Sequence, residues 1–461
     1  MPEPAARPRH GRCTAWALRR HRMATPVVRA LLRPRRRAPV RAAPKVTILI
    51  VHAWGMGGTI RTTLTVAGAL AARHEVEVIS VWRSREEPFF AFPPGVAVTV
   101  ADDRRPGAAG RAARLLARLP GVLLFPGDRT SRRTTLWTDV QLVRRLRAAR
   151  SDVLLGTRPA LNLLVASVGG APARVATEHA PFTAYRPLLK REIRRRYGAL
   201  DAVVVLGEAA RQRLERAIGG AVPVHVIPNA VSPQRGGTAR LDRPVVVAAG
   251  RLVRAKAFER LIRAFAIVAG AHPDWRLRIC GDGPRRAALR RLIAVLGLQA
   301  QVELAGRVRD MEAELEAASI FALSSRVEGL PLALLEAMAK GLAVVSMDGA
   351  AGPCEVIEHG VDGLLVPGGD VTALAHAICA LIESEELRRR LGRAATRKAA
   401  DYGLEGVAAR WEALVAGVTE LPPRSDDRVP AAGEPRRHDD LPSGHRGTAG
   451  RGDRDRRARP R

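Results

Sequence analysis

The sequence predicts an α/β protein of two doubly wound parallel-sheet domains facing each other across a cleft, and three observations lead to it. From Lys45 a continuous apolar run, KVTILIVHAW, ends in a glycine loop, GMGG at 55–58, as a buried parallel strand does on handing over to a helix. The helical stretch TIRTTLTVAGALAARH and a second apolar run, EVEVISVW, complete a strand-helix-strand unit. After the turn-rich segment SPQRGGTARLDRP (232–244) the same rhythm starts again. Two successive halves of this kind imply two sheets, with ligands bound beyond the carboxyl ends of the strands.

Taken in order, the first half offers further strands at DVLLG (152–156), ARVATEH (173–179), DAVVVL (201–206) and PVHVIP (223–228). Between 84 and 134 the pattern weakens to one strand near 96–100 with helix and loop around it. The second half reads PVVVAAG, a helix through FERLIRAFAIVAGAH, WRLRICG, a helix from Pro284, QVELAG, a short helix and SIFALSS. The helix LPLALLEAMAK, AVVSM and GLLVP follow. The domains therefore span 45–233 and 234–402, and a last helix at 403–420 packs back toward the first domain.

The two ends differ from this middle. Residues 1–44 are rich in Arg, Pro and Ala without sustained periodicity, and 421–461 carry almost no large apolar side chains. Neither segment buries enough surface to offset its ordering entropy, so both are expected to be disordered. Met23 offers a second possible start.

The chain of 461 residues has a formal net charge of +31, about half of it in the two ends. The rest is spread over amphipathic stretches such as RRLRAAR (144–150) and LLKREIRRRYG (188–198), where arginine either solvates a helix face or attracts an anionic membrane or polymer. Nucleic acid is disfavoured, because aromatics are scarce and no basic stripe is interleaved with stacking residues. Cys13, Cys280, Cys354 and Cys379 lack paired spacing and fit buried thiols in a reducing compartment. No apolar run approaches the roughly 20 residues that span a bilayer, and the N-terminal segment lacks a signal-peptide core. The expectation is a cytoplasmic protein, with the inner face of the membrane as a place of peripheral association.

The candidate chemistry lies where strands end. Glycines before a helix present backbone N–H groups to an anion, which gives Gly57 and Gly58 a phosphate role or leaves them a tight turn. The loop lacks the G-x-G-x-x-G spacing of dinucleotide binders, and EVEVISVW is not followed by an acidic residue for a ribose. Arg251 and Lys256 follow PVVVAAG directly. Two cations there suit a diphosphate, although solvated loop charges satisfy the spacing equally.

Glu328 precedes the helix LPLALLEAMAK, with Pro331 in its first turn, and Glu336 lies more than a turn inside it. The N–H groups around Gly329 and Leu330 then form an anion or hydroxyl site. A capping carboxylate is the plainer role for Glu328. A surface pair with Lys340 is the plainer one for Glu336, and the apolar surroundings of Glu336 argue against it. His179, at the end of ARVATEH, is either incidental or a cleft residue.

At these positions the sequence resembles the retaining glycosyltransferases of family four, which have the GT-B fold of two facing Rossmann-like domains. The resemblance runs from about 45 to 418. It includes GMGGTIRTTLTVAGALA, VIPNAV (226–231), GRLVRAKAF, GDGP, EGLPLALLEAMAKG and GPCEVIEHGVDGLLVPGGD (352–370). Within the family the chain is most similar to bacterial enzymes that glycosylate cell-surface polymers, teichoic-acid-type glycosyltransferases among them. The resemblance implies hexosyl transfer from a nucleoside-diphosphate sugar, UDP-linked, to a polymer, lipid-linked or other hydroxyl acceptor.

It further implies an acceptor-side first domain and a nucleotide-sugar-binding second one. Arg251 and Lys256 would hold the diphosphate and Glu336 the ribose. Glu328 with the backbone of Gly329 and Leu330 would hold donor-sugar hydroxyls, and His179 would touch the sugar near the reacting carbon. The Gly57–Gly58 loop would close over the diphosphate, and the backbone around Val308 would meet the base. No cofactor or metal is implied, the sole Asp-x-Asp being Asp453-Arg454-Asp455 in the C-terminal end. Three positions depart from the pattern: Ala257 where glycine follows the lysine, Gly207 where serine is usual, and Leu330-Pro331 after Glu-Gly. The competing readings are a sugar-nucleotide epimerase of the same architecture and a non-catalytic protein binding anionic polymer or membrane.

Overall fold

Val46, Ile48 and Ile50 of the first apolar strand, Lys45–Ile50 (β1), enter one core and Leu49 enters another, so the strand is buried on both faces. Such a run reads as continuous apolar sequence because a central parallel strand has no wet face. In the computed structural model, which describes residues 10–32, 43–108, 110–128, 130–169, 172–348 and 351–421, β1 is an interior strand of a seven-stranded sheet. The other strands are Glu75–Arg83 (β2), Val96–Asp103 (β3), Val153–Gly156 (β4), Ala173–Glu178 (β5), Ala202–Val205 (β6) and Val224–Val226 (β7). All pairings are parallel, in the order β3-β2-β1-β4-β5-β6-β7. Ile48 sits opposite Val78 on one side and Leu155 on the other.

The second sheet has six parallel strands: Val245–Ala249 (β8), Arg276–Cys280 (β9), Val302–Gly306 (β10), Ile320–Leu323 (β11), Ala343–Met347 (β12) and Leu364–Val366 (β13). Their order is β10-β9-β8-β11-β12-β13. In both sheets the order reverses beside the first strand, between β1 and β4 and between β8 and β11. Neighbouring loops leave the sheet in opposite directions there, opening the crevice in which such folds bind ligands. The two-sheet doubly wound architecture expected from the sequence is thus the one found.

The chain leaves the second domain at Tyr402, whose carbonyl accepts the Val231 N–H at 2.8 Å. The helix Leu404–Glu420 then returns to the first sheet. Val407, Trp411, Leu414, Val415 and Val418 join the core built on Val46, Ile48 and Leu70. Glu412 on this helix meets His74 at 2.7 Å.

Part of the N-terminal segment differs from the expectation of disorder, while residues 1–9 and 33–42 lie outside the described residues. Residues His10–Leu31 form a helix laid on the first domain. Leu18 packs on that domain's core, and His21 is buried with its Nδ1 2.8 Å from the Val122 carbonyl. The sequence conceals the helix because its most buried described side chain before Leu32 is a histidine, and because Pro26, a breaker by rule, lies inside it. Residues 422–461, also expected to be disordered, lie outside the described residues. Among the described residues no helix is long and apolar enough to cross a membrane.

Candidate active site

The loop after β8 is built from close backbone approaches. Gly250 has φ 154°, and a Cβ on Gly281 would lie 1.9 Å from the Gly250 carbonyl oxygen. A Cβ on Gly283 would lie 2.6 Å from that of Leu252. The GDGP turn after β9 therefore buttresses the loop that carries Arg251, with Leu252 N–H donating to the Asp282 carbonyl at 3.0 Å. Glycine is required because only backbone fits between the two turns.

From that loop Lys256 reaches the loop after β11. Ser324 Oγ donates to the carbonyls of Lys256 and Ala257 at 3.1 and 3.2 Å, and the Arg326 N–H donates to Ala255 at 2.7 Å. Lys256 Nζ then lies 2.5 Å from Glu328 Oε1, which also accepts from Ser325 Oγ at 2.6 Å. The expected phosphate-binding cation and the expected sugar-binding carboxylate thus touch. Ala257, where the family pattern has glycine, adopts φ 48° and is fully buried, holding a left-handed conformation at the start of the helix Phe258–Ala271.

Gly329 marks where the two domains meet. A Cβ there would lie 2.3 Å from the carbonyl oxygen of His179, and one on Gly352 would lie 1.5 Å from the Gly329 oxygen. Three backbone segments converge with no side chain between them. His179 itself is half-buried, and its buried Nε2 makes no hydrogen bond among the described residues. Burial, reinforced by the Arg158 charge, lowers its pKa to about 4, so the ring is neutral at pH 7.

The residue before it, Glu178, is a buried carboxylate that accepts from Asn162 Nδ2 at 2.8 Å and from the hydroxyls of Tyr185 and Tyr197. Burial raises its pKa against these donors. This cluster fixes the end of β5 from which His179 extends, and no motif announced it.

Leu330 is buried, and its carbonyl accepts from Asn229 Nδ2 at 2.7 Å. Asn229 belongs to VIPNAV in the first domain, and its Oδ1 accepts from Thr62 at 3.2 Å. The helix that follows begins at Leu332, with Pro331 at the N-cap position one residue earlier than expected. Within it Glu336 is buried, and its Oε1 pairs with Arg61 Nη1 at 2.8 Å. Arg61 stands on the helix Gly58–Leu70, which starts from the Gly57–Gly58 loop. Burial outweighs the ion pair and raises the Glu336 pKa to about 7. Lys340, its plainer partner by spacing, is instead buried against Glu316 at 2.5 Å.

Gly57 has φ 154°, and a Cβ on Gly57 or Gly58 would meet open space, so this turn presents bare backbone at a helix start. Arg251 is exposed in its loop, and Val308, after β10, packs against the core beneath Leu330. Arg251 and Lys256 follow β8, Val308 follows β10, and Glu328 and Glu336 follow β11. They share the carboxyl edge of the second sheet.

A cleft of about 410 Å³ adjoins Glu328, lined by Pro181, Thr183 and Arg213 of the first domain and Arg326, Glu328 and Glu355 of the second. Glu355 reaches across the domains. Its carboxylate accepts the Glu208 N–H at 2.5 Å and that of Ala209, capping the helix Glu208–Ile218, whose own N-cap residue is Gly207. A Cβ on Gly207 would lie 2.3 Å from that carboxylate. The departure from serine at 207 thus makes room for a cap supplied by the other domain.

His272, Cys379 and Glu383 place potential metal ligands within 4.8 Å of one another. They lie at the opposite end of the helix Phe258–Ala271 from Lys256, outside this site.

Residues 234–398 match the family model described as Glycosyl transferases group 1, and residues 56–235 match Glycosyltransferase Family 4. An exopolysaccharide phosphotransferase of Streptomyces coelicolor is 40% identical over 401 residues, covering 83% of this chain and 41% of its own length. The chain thus spans less than half of that relative. The structure of HepE from Anabaena in complex with UDP and glucose superposes with a TM-score of 0.61 at 19% identity, over 81% of this chain and 100% of that one. The structure of an S. aureus TarM mutant in complex with fondaparinux, alpha-GlcNAc-glycerol and UDP superposes with a TM-score of 0.53 at 20% identity, over 57% and 55%.

Proposed function

Because the chain belongs to the group 1 glycosyltransferases, we propose that it transfers a hexosyl group from a nucleoside-diphosphate sugar to a hydroxyl of a cell-envelope polymer or lipid-linked acceptor, retaining the anomeric configuration. The observation that carries this reading is the Lys256–Glu328 pair beside the meeting point of Gly329 and His179. One group suited to a phosphate and one suited to sugar hydroxyls are held in contact where both domains supply backbone. Donor preference for UDP draws on the UDP-bound neighbours.

In the proposed reaction the bond between the anomeric carbon and the β-phosphate oxygen breaks, and its electron pair leaves on the diphosphate. The acceptor hydroxyl forms the new bond on the same face, and its proton passes to the departing phosphate. Lys256, Arg251 and the backbone amides of Gly57 and Gly58 offset the growing negative charge. Glu328 binds and does not attack, since its Oε1 is already shared by an ammonium and a hydroxyl. His179, neutral at pH 7, offers the sugar a hydrogen bond without a charge. Glu336 would exchange Arg61 for ribose hydroxyls, and the backbone at Val308 would face the base.

The catalyst as proposed takes no metal and works in the cytoplasm, at the inner face of the membrane. Incubating the full chain with UDP-, GDP- and ADP-sugars, and following nucleoside diphosphate release with and without surface-polymer acceptors, tests it. Release with one donor class, accelerated by acceptor, is expected. No release with any donor would overturn the proposal.

A further inference from the structure

The N-terminal helix has two unlike faces. Leu18, His21 and Leu32 lie against the first domain, with His21 edge-on to the Phe125 ring at 5.7 Å. On the outside Trp16, Met23, Val27 and Leu31 are 58%, 71%, 60% and 44% exposed. At about 100° per residue these four fall within about 80° of the circumference, forming one apolar stripe. Arg19 and Arg22 are exposed beside it, and the Arg20 guanidinium stacks 4.5 Å over the Trp16 ring. The helix His10–Leu31 contains no acidic residue.

Its neighbours share this character. Arg20 Nη2 donates to the Pro120 carbonyl at 3.3 Å, which sets the helix beside a segment with no acid between Asp103 and Asp128. That segment exposes Leu115 and Leu119 by 64% and 48%, together with Arg111, Arg114 and Arg118. On the other side His21 lies within reach of the charges of Arg195 and Arg196 on the helix Pro187–Arg196. Arg191 and Arg194 are exposed there, and the helix's single acid, Glu192, is taken by Arg195 at 2.8 Å.

We propose that this surface docks the protein on an anionic lipid bilayer, with the Trp16–Met23–Val27–Leu31 stripe at the acyl boundary and the arginines among the headgroups. A helix of large apolar side chains flanked only by cations lies in the plane of such an interface. Each arginine near the surface adds to the attraction. A second copy of the chain fits less well, because two such faces would oppose like charges. A protein partner fits less well because interface cores are depleted of charge, whereas here Arg19, Arg20 and Arg22 fall between Trp16 and Met23, and Arg29 falls between Val27 and Leu31. The docking does not depend on the reaction proposed above.

The test is co-sedimentation of the full chain with sucrose-loaded vesicles, phosphatidylglycerol mixed with phosphatidylcholine against phosphatidylcholine alone, near 0.1 M salt. Wild type, the double variant Met23→Glu/Val27→Glu and the double variant Arg191→Glu/Arg194→Glu are compared, with circular dichroism confirming the fold of each. Wild type should partition at least about tenfold better onto the anionic vesicles, since a few surface cations suffice for that ratio. The apolar variant should lose on the order of tenfold. Half-molar salt should weaken binding, because screening shortens the reach of the charges. Equal binding to both vesicle types, or an unchanged Met23→Glu/Val27→Glu variant, overturns the proposal. So does wild-type self-association in sedimentation velocity that this variant abolishes while vesicle binding persists.

Discussion

Arg61 and Glu336 meet across the two domains at 2.8 Å, and the pair is the direct link between the helix of the first glycine loop and the helix of the second domain's carboxylate. A carboxylate buried this far favours its neutral form, hence its pKa of about 7 despite the guanidinium. The folded protein then holds a proton that the unfolded chain releases near the ordinary value of 4.5. Stability from this group is complete below that value and declines as pH rises to about 7, by up to about 3 kcal/mol. Denaturant titrations at pH 5, 6, 7 and 8 should show this decline in the difference between wild type and Glu336→Gln. A flat difference would remove the burial argument.

Lys256→Ala should lower kcat for donor turnover by about 10² to 10³, corresponding to about 2.7 to 4 kcal/mol of transition-state stabilisation. Glu328→Gln keeps the shape and loses the charge. Its larger effect should fall on sugar-donor affinity, read as KM against the competitive Ki of free nucleoside diphosphate. A wild type that forms a covalent glycosyl ester at Glu328 would contradict the binding role.

Gly329→Ala inserts a methyl where 2.3 Å separates the built Cβ from the His179 carbonyl. Displacing the facing loops by about 1 Å should cost on the order of 10² in activity, since such misplacement is enough to spoil alignment. The melting temperature should move far less, because each domain keeps its own core. Activity and thermal unfolding measured on one preparation separate the two effects.

Chelation gives an independent check on the diphosphate site. With Lys256 and Arg251 serving the leaving group, EDTA should leave donor turnover within about twofold of its untreated value, and added magnesium should not rescue Lys256→Ala. A strict requirement for a divalent ion would reassign the phosphate chemistry.

Both sheets were legible because their strands are apolar on two faces, and Lys256, Glu328 and Gly329 because they sit where such strands end. Arg61 was not legible. In a chain with 76 lysines and arginines, one more on an amphipathic helix carries no signal until its partner is seen. Asn229 was visible only as part of VIPNAV, since its task of holding the Leu330 carbonyl depends on a residue 101 positions away. Glu178 hid inside an apolar strand, its three donors coming from separate turns of the chain. The N-terminal helix was missed for the converse reason, since its anchor His21 is polar and its apolar residues face outward.

The helix Glu208–Ile218 does not own its cap: Glu355, from the opposite domain, supplies it. With a serine at 207 that helix would stay finished whether the domains were apart or together. With glycine, spreading them would leave its first amides to water, a loss on the order of a few tenths of a kcal/mol that would fall on separated domains alone. The missing hydroxyl therefore ties the finishing of this helix to the contact between the two domains.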